Sequence, residues 1–550
     1  MRKRSIMLLG GVLALLGSLV IGPAATAGSE RTSAGTVVII HDQEPPTLRF
    51  NWEDNNLLAT ALVVQNIFLG GQIYNNKAEY VPALFTAAPK LVKSKPLTVS
   101  FTFKPTAAWS DGKPVTCADF RATWKVFVNP AFSVVSRTGW DVIKSVACKG
   151  KSGTVVFTSP FADWEGLLSG DSGTVWPAHI IAGQDMNQMF NNSIPVSDGP
   201  WKFQSWQKGV QITVVKNPAF KSGPAMKLDR VVWRYILDTN SRFQALKAGE
   251  GQVIQSQPQL QIADFLNDSK FIVQRAPEYA FEHLDIQFGP KGHPALKQAY
   301  VRQALASGIN RAQIAQAIYK TIAPDTKALQ SLIFKPFEKG YENHFGKAWP
   351  FSQTKVISIL KGHGCTGGPD KPSSGNSNIF SCPGVGKLSF RFSTTTGNQL
   401  RALAFEIMQK QLKSVGIELV PRFQTGGVLF GTTLPSSDWD LIMFTYGQTP
   451  TSKITANGLY SCPNNGGDQN YGNWCSPKTT ALLNAVTKQL DESKRIQMLN
   501  QAEDQITQVI PSIPLAARPA FVLQAKTVKG PLLNPTTEGV PWNISNWTTS

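Results

Sequence analysis

Apolar and polar positions follow two different periods along this chain, and the change of period divides it. Thr36-Val37-Val38-Ile39-Ile40 is an unbroken, β-branched apolar run, which suits a buried strand. It ends in the polar turn Asp42-Gln43-Glu44-Pro45-Pro46. Leu97 to Phe103 alternates with period two, and Ser110-Asp111-Gly112-Lys113-Pro114 reads as a turn. Strands are expected from Gln211 to Val215 and from Arg230 to Leu237, after a turn at Gly199-Pro200. The second half is more helical: Leu400, Leu403, Ala404, Ile407, Met408, Gln411, Leu412 and Val415 form a stripe that Gly416 stops, with strand-like Ile417 to Val420 behind it. Helical patterns also run through Leu482 to Leu490 and Ile496 to Val509, ended by Pro511 and Pro514. Strands alternating with helices around a strand-rich insert predict an α/β protein of more than one lobe.

The first residues lie outside that pattern. Arg2-Lys3-Arg4, the apolar stretch Ile6 to Ile21 and the small residues Ala25-Thr26-Ala27 read as a secretory signal peptide over residues 1–27, cleaved after Ala27. The competing reading, an uncleaved anchor, has fewer apolar residues than the roughly 20 that span a bilayer comfortably. The first cysteine is Cys117, so no lipobox cysteine follows the apolar stretch. The expected location is the periplasm, the cell envelope or the extracellular space.

Composition agrees with a large folded protein. The 550 residues include 14 Trp, 30 Phe and 10 Tyr, with 42% hydrophobic and 16% charged, which excludes a disordered chain. That length suits several domains with cores of their own. The formal net charge is +18; loss of the signal's three basic residues, with no acid, leaves +15. Lys and Arg are scattered singly rather than in dense runs, so no nucleic-acid partner is expected. Attraction to an anionic envelope, giving peripheral contact with the membrane or envelope, is the sharper meaning of the excess, and a solvated basic surface the blander one.

Six cysteines in an exported chain predict three disulfides. Of the fifteen possible pairings, neighbours are favoured, because each pair flanks a loop-like stretch: Cys117 with Cys148, Cys365 with Cys382, and Cys462 with Cys475. A zinc site is disfavoured, since no Cys-x-x-Cys and no clustered histidines accompany them; no metal and no cofactor is expected.

Signs of catalysis are weak. Gly170-Asp171-Ser172-Gly173 resembles a serine-protease nucleophile loop, but only His41 precedes it and Thr174 stands where a further glycine belongs, so a surface turn is the reading. Neither a Gly-x-Ser-x-Gly elbow, a His-Glu-x-x-His pair nor a phosphate loop occurs. A binding protein is expected rather than an enzyme, with a secreted hydrolase on an unrecognised fold as the alternative from another class.

Four segments in order carry a resemblance. Glu44-Pro45-Pro46-Thr47-Leu48 follows the first strand. Phe101-Thr102-Phe103-Lys104-Pro105 leads to Trp109-Ser110-Asp111-Gly112-Lys113-Pro114-Val115-Thr116-Cys117-Ala118-Asp119-Phe120. Asp198-Gly199-Pro200-Trp201-Lys202-Phe203 precedes Lys216-Asn217-Pro218, and Val301-Arg302-Gln303-Ala304-Leu305 runs to Ile309-Asn310-Arg311. Together they resemble the bacterial extracellular solute-binding proteins of family 5, the peptide and nickel class serving ABC importers. Asp198 departs from the usual Thr or Ser. Each segment also has a scaffold reading: Asp111-Gly112 is a turn pair and Asn310 can cap the next helix.

The resemblance implies an α/β, two-lobed periplasmic-binding-protein-like fold (class II, cluster C type) with an inserted domain and hinge strands at His283 to Phe288 and Ile513 to Leu523. It places lobe I at 28–74, 193–285 and 515–550, the insert at 75–192, and lobe II at 286–514. The implied function is extracytoplasmic capture of oligo- or dipeptides by lobe closure, for delivery to ABC permease and ATPase subunits, by a monomer. A carbohydrate or other polar solute is the alternative ligand, and sensing without import a further role. Implied ligand contacts are Glu44, Pro46 and Thr47; Gln255, Ser256 and Gln257; Tyr279 and Phe281; and Tyr446, Gln448 and Thr449, with Tyr446 either an aromatic wall or a core residue. Peptide binders commonly carry an Asp near Thr449; with neutral residues there, Glu44 or another acid must meet a ligand's ammonium group, or the ligand has none.

Overall fold

A computed structural model of the chain describes residues 35–170, 173–255, 257–448, 455–465 and 467–549. The signal-peptide residues 1–27 lie outside the described residues, as do Asp171 and Ser172 of the protease-like turn. Among the described residues, no helix is long and apolar enough to cross a membrane.

The two periods in the sequence become one continuous sheet flanked by helices. Among the described residues ten strands hydrogen-bond side by side. On one flank, Thr36–His41 pairs in parallel with Arg230–Tyr235 and with Val253–Gln255, and the strands Gln211–Lys216 and Trp201–Gln207 continue outward. On the other flank, Leu441–Gly447, Ser389–Thr395 and Glu418–Gln424 lie beyond Phe271–Ile286. Two long antiparallel strands, Phe271–Ile286 and Ser512–Ala525, join the flanks. Each is longer than the resemblance suggested. Pro277, Glu278, Glu282 and His283 interrupt the apolar pattern of the first, and Arg518 that of the second, so the extended backbone is masked by residues that serve the cleft.

Elsewhere the periodicities mark the elements closely. The stripe from Leu400 is helix Gln399–Lys413, started by Asn398, whose side chain accepts from Arg401 N. The last two patterns are helices Pro477–Val486 and Glu492–Val509. A separate four-stranded sheet, with Leu97–Thr102 and Ser152–Phe157 in its middle, packs into an aromatic-rich core that it shares with the first flank of the large sheet. Helix Cys117–Val128 follows the Asp111-Gly112 turn, and Thr116 and Asp119 form a reciprocal capping box at its start.

The motifs behind the resemblance turn inward as scaffold. Gly199 backs onto Asn66, where a Cβ would sit 2.4 Å from the carbonyl oxygen, and Asp198 accepts from Leu69 N at 2.7 Å. Arg302 donates to the carbonyls of Val509 and Leu296 at 2.7 and 2.8 Å, and Arg311 to that of Pro514 at 3.1 Å. These buried guanidinium groups satisfy carbonyls at a helix end and on a joining strand, so they fix where the second flank's helices sit. Cys117–Cys148, Cys365–Cys382 and Cys462–Cys475 are bonded, the pairing of sequence neighbours.

Candidate functional site

The joining strands bring charge into the centre of the protein. Glu278 and Glu282 lie on Phe271–Ile286, and Arg518 on Ser512–Ala525. Arg518 grips Glu278 through two bonds of 2.6 and 2.9 Å. Arg401, from the first turn of its helix, grips Glu282 at 3.0 and 3.1 Å and also donates to Thr395 and Thr445. Burial opposes ionisation of Glu282, but the charge and hydrogen bonds of Arg401, aided by Arg518 and Thr445, outweigh it and hold the carboxyl below its usual range. Burial likewise opposes the charge on Arg518, and Glu278 and Glu282 overcome it and raise its pKa. Forked pairs of this kind keep four buried charges satisfied.

Above these pairs lies a cavity of about 430 Å³, within the roughly 300–1,000 Å³ usual for ligand sites. Its walls come from both flanks of the sheet and from residues between 127 and 169. Asp42, Glu53 and Glu278 contribute carboxylates, Arg401 and Arg518 guanidinium groups, and Tyr74, Phe127, Tyr279, Phe430 and Tyr471 aromatic rings. Two further cavities among the described residues hold about 10 Å³ each.

The cleft is shut at both rims. Asp468 accepts from Ser136 at 2.6 Å and from Thr138 at 3.2 Å, and Ala162 N donates to Thr487 O at 2.7 Å. On the other side, Asn398 donates to Gln257 at 3.2 Å, Gln261 to Gln399 at 2.8 Å, and Thr239 to Gly397 O at 2.7 Å.

The residues singled out in the sequence divide into three groups. Gln255, Gln257, Tyr279, Tyr446 and Gln448 line the cavity. Gln448 N donates to Tyr279 O at 2.7 Å, which extends the pairing of the joining strand with Leu441–Gly447 to the cavity's edge. Tyr446 combines both readings offered for it: 9% exposed, it touches the cavity while its ring stacks on His283 at 4.3 Å and its hydroxyl donates to Asp285 at 3.1 Å. Glu44, Pro46, Thr47 and Phe281 are not among the lining residues. Glu44 is held by Trp206 Nε1 at 2.7 Å and Gly209 N at 2.9 Å, and Thr47 Oγ1 accepts from Asn55 at 2.8 Å. Pro46 faces solvent, and Phe281 is fully buried beneath the Lys335 ammonium, 4.1 Å from its ring centre. Ser256 and Thr449 lie outside the described residues.

Sequence reasoning missed Asp42, Glu53, Glu278, Arg401 and Arg518. One signal was available: Arg518 is a lone charge within the apolar run Ile513 to Leu523, and a buried lone arginine needs a partner. Arg401 carried no such signal, because it sits beside the apolar stripe of a helix rather than inside a continuous apolar run.

Comparison with known proteins follows this geometry. Residues 79–468 match the family described as bacterial extracellular solute-binding proteins, family 5 Middle. The oligopeptide-binding protein OppA of Mycobacterium tuberculosis is 24% identical, over 95% of this chain and 89% of the relative. Among solved structures, the periplasmic EDTA-binding protein EppA superposes with a TM-score of 0.82 at 20% identity, covering 94% of this chain and 97% of the other. The oligopeptide-binding protein AppA of Bacillus subtilis, in complex with a nonapeptide, superposes with a TM-score of 0.81 at 18% identity, covering 94% and 99%.

Proposed function

This chain belongs to the bacterial extracellular solute-binding proteins of family 5, and from that premise we propose that it captures peptides between its two lobes and hands them to an ABC importer. The observation that carries the reading is the cavity of about 430 Å³ enclosed between flanks that two long strands join. Such a joint allows the flanks to part and close. Contacts made only in the closed form then couple ligand capture to shape, which membrane subunits can read.

Peptide is favoured over carbohydrate by the charges in the wall. Glu44 is engaged by Trp206 and Gly209, but Asp42 and Glu53 bring carboxylates to the cavity, so an enclosed ammonium group has acids to meet. Arg401 and Arg518 offer N–H groups for a ligand's carboxylate or carbonyls. A relative named for oligopeptide binding, matched along 95% of this chain, supports the same choice. On this reading Gln255, Gln257, Tyr279, Tyr446 and Gln448 contact the ligand, the division into lobes and insert is the one implied by the sequence, and the chain acts as an exported monomer without covalent chemistry.

Native mass spectrometry of the protein as purified, followed by identification of the ligand released on denaturation, tests the proposal. Released peptides are the expected result; a sugar or a metal chelate in their place overturns it.

A further inference from the structure

The outer strand of the insert carries a feature that ligand capture leaves unused. Lys90–Ser94 pairs with Leu97–Thr102 on one side and ends the four-stranded sheet on the other. All five of its residues are exposed, with Leu91 at 50% and Val92 at 53%. Lys90, Lys93 and Lys95 surround that apolar pair, and the sequence from Val81 to Ser110 contains no acidic residue. None of the three lysines makes an ion pair with a described residue; Lys104, by contrast, turns inward onto the carbonyls of Ala83 and Ser222.

Two explanations compete for such an edge. Lysines and a bulge commonly keep an edge strand from pairing with another chain, and the register here does shift between Leu91 and Lys93. That accounts for the lysines and the bulge, and it argues against an added strand as the occupant. It does not account for two adjacent branched apolar side chains left half in water, which aggregation avoidance would remove. An anionic lipid surface accounts for the apolar pair and the lysines together: short apolar side chains enter the headgroup boundary while lysine stems lie along it and place ammonium groups against phosphate.

We propose that the edge Lys90–Lys95 is a peripheral docking site for an anionic lipid bilayer, which keeps this protein at the outer face of the membrane. The site is on the insert, remote in sequence from the cavity's paired charges, so docking and ligand capture are separable.

The test uses the full mature protein and sedimentation with vesicles of phosphatidylglycerol and phosphatidylcholine, against phosphatidylcholine alone. The protein is expected to sediment with the anionic vesicles at low salt and less at high salt. Charge reversal in K90E/K93E/K95E should lower the partition coefficient at least about tenfold, and L91S/V92S should lower it several-fold while leaving salt dependence. Both variants alter exposed side chains, and an unchanged thermal midpoint confirms that they fold. Equal binding to neutral vesicles, unaltered binding by the variants, or binding of soluble polyglutamate without vesicle binding each overturns the proposal.

Discussion

Asp468 accepts a 2.6 Å hydrogen bond from the Ser136 hydroxyl across the mouth of the cleft. Thr138 adds a second bond at 3.2 Å to the same carboxylate oxygen. Both hydroxyl residues also line the cavity, so this latch closes directly over it.

A contact that forms only on closure shifts the open–closed balance and therefore the affinity. Asp468→Ala should weaken peptide binding by about fivefold, equivalent to ~1 kcal/mol for exposed, charge-assisted bonds. Its thermal midpoint without ligand should stay close to the wild-type value. Calorimetric titration of both proteins with one peptide checks this; equal affinities mean that the latch carries no closure energy.

Glu503 predicts how stability responds to pH. It is fully buried and accepts from Ser331 at 2.6 Å and from Leu332 N. Burial pushes its carboxyl up to about 7, against the hydrogen bond from Ser331 and the charges of His344 and Lys335. For His344, burial opposes protonation, but Glu503, Asn500 and Asp504 overcome it and raise its pKa. Both groups hold protons more tightly when folded. Their contribution is complete below pH ~4.5 for Glu503 and ~6.5 for His344, and is lost as pH rises through their folded values. Stability should fall between about pH 4.5 and 7 as Glu503 ionises, by on the order of 3 kcal/mol, and Glu503→Gln should flatten that slope. Urea unfolding at three pH values measures it; an unchanged slope in the variant rejects the assignment.

The pairing of Arg401 with Glu282 works in the opposite sense. The folded Glu282 carboxyl is held low, so its stabilisation is present above the unfolded value near pH 4.5 and is lost as pH falls through the folded value. Glu282→Ala leaves a buried guanidinium with Thr395 and Thr445 as its remaining partners, and should cost about 3–5 kcal/mol. The same measurement checks it, and a loss below about 1 kcal/mol contradicts a buried, mutually dependent pair.

Glu44 separates scaffold from site. Its carboxylate holds Trp206 and the hairpin turn at Gly209, so Glu44→Ala should lower stability by about 1–2 kcal/mol while peptide affinity changes less than about twofold. Thermal unfolding beside a binding titration distinguishes the two effects. A large loss of affinity at unchanged stability would return Glu44 to the binding wall.

Much of the fold was legible because burial writes a period into the chain. The run at Thr36 became a strand with neighbours on both sides, and the stripe from Leu400 became a helix with its cap at Asn398. The family motifs were legible for a different reason: Arg302, Arg311 and Gly199 meet geometric demands that few side chains satisfy. The cavity was less so. Glu278 and Arg518 face each other 240 residues apart, Glu282 and Arg401 lie 119 apart, and neither pairing leaves a local pattern. Glu44 is ambiguous in turn, since an acid beside a predicted cleft looks the same in sequence whether it meets ligand or a tryptophan.

Small-angle scattering tests lobe closure around peptide most directly. Protein stripped of ligand by unfolding and refolded should show a larger radius of gyration than the same protein with a mixture of short peptides, and a sugar mixture should leave it unchanged. A radius that peptides do not alter, with no accompanying rise in thermal midpoint, would contradict the account.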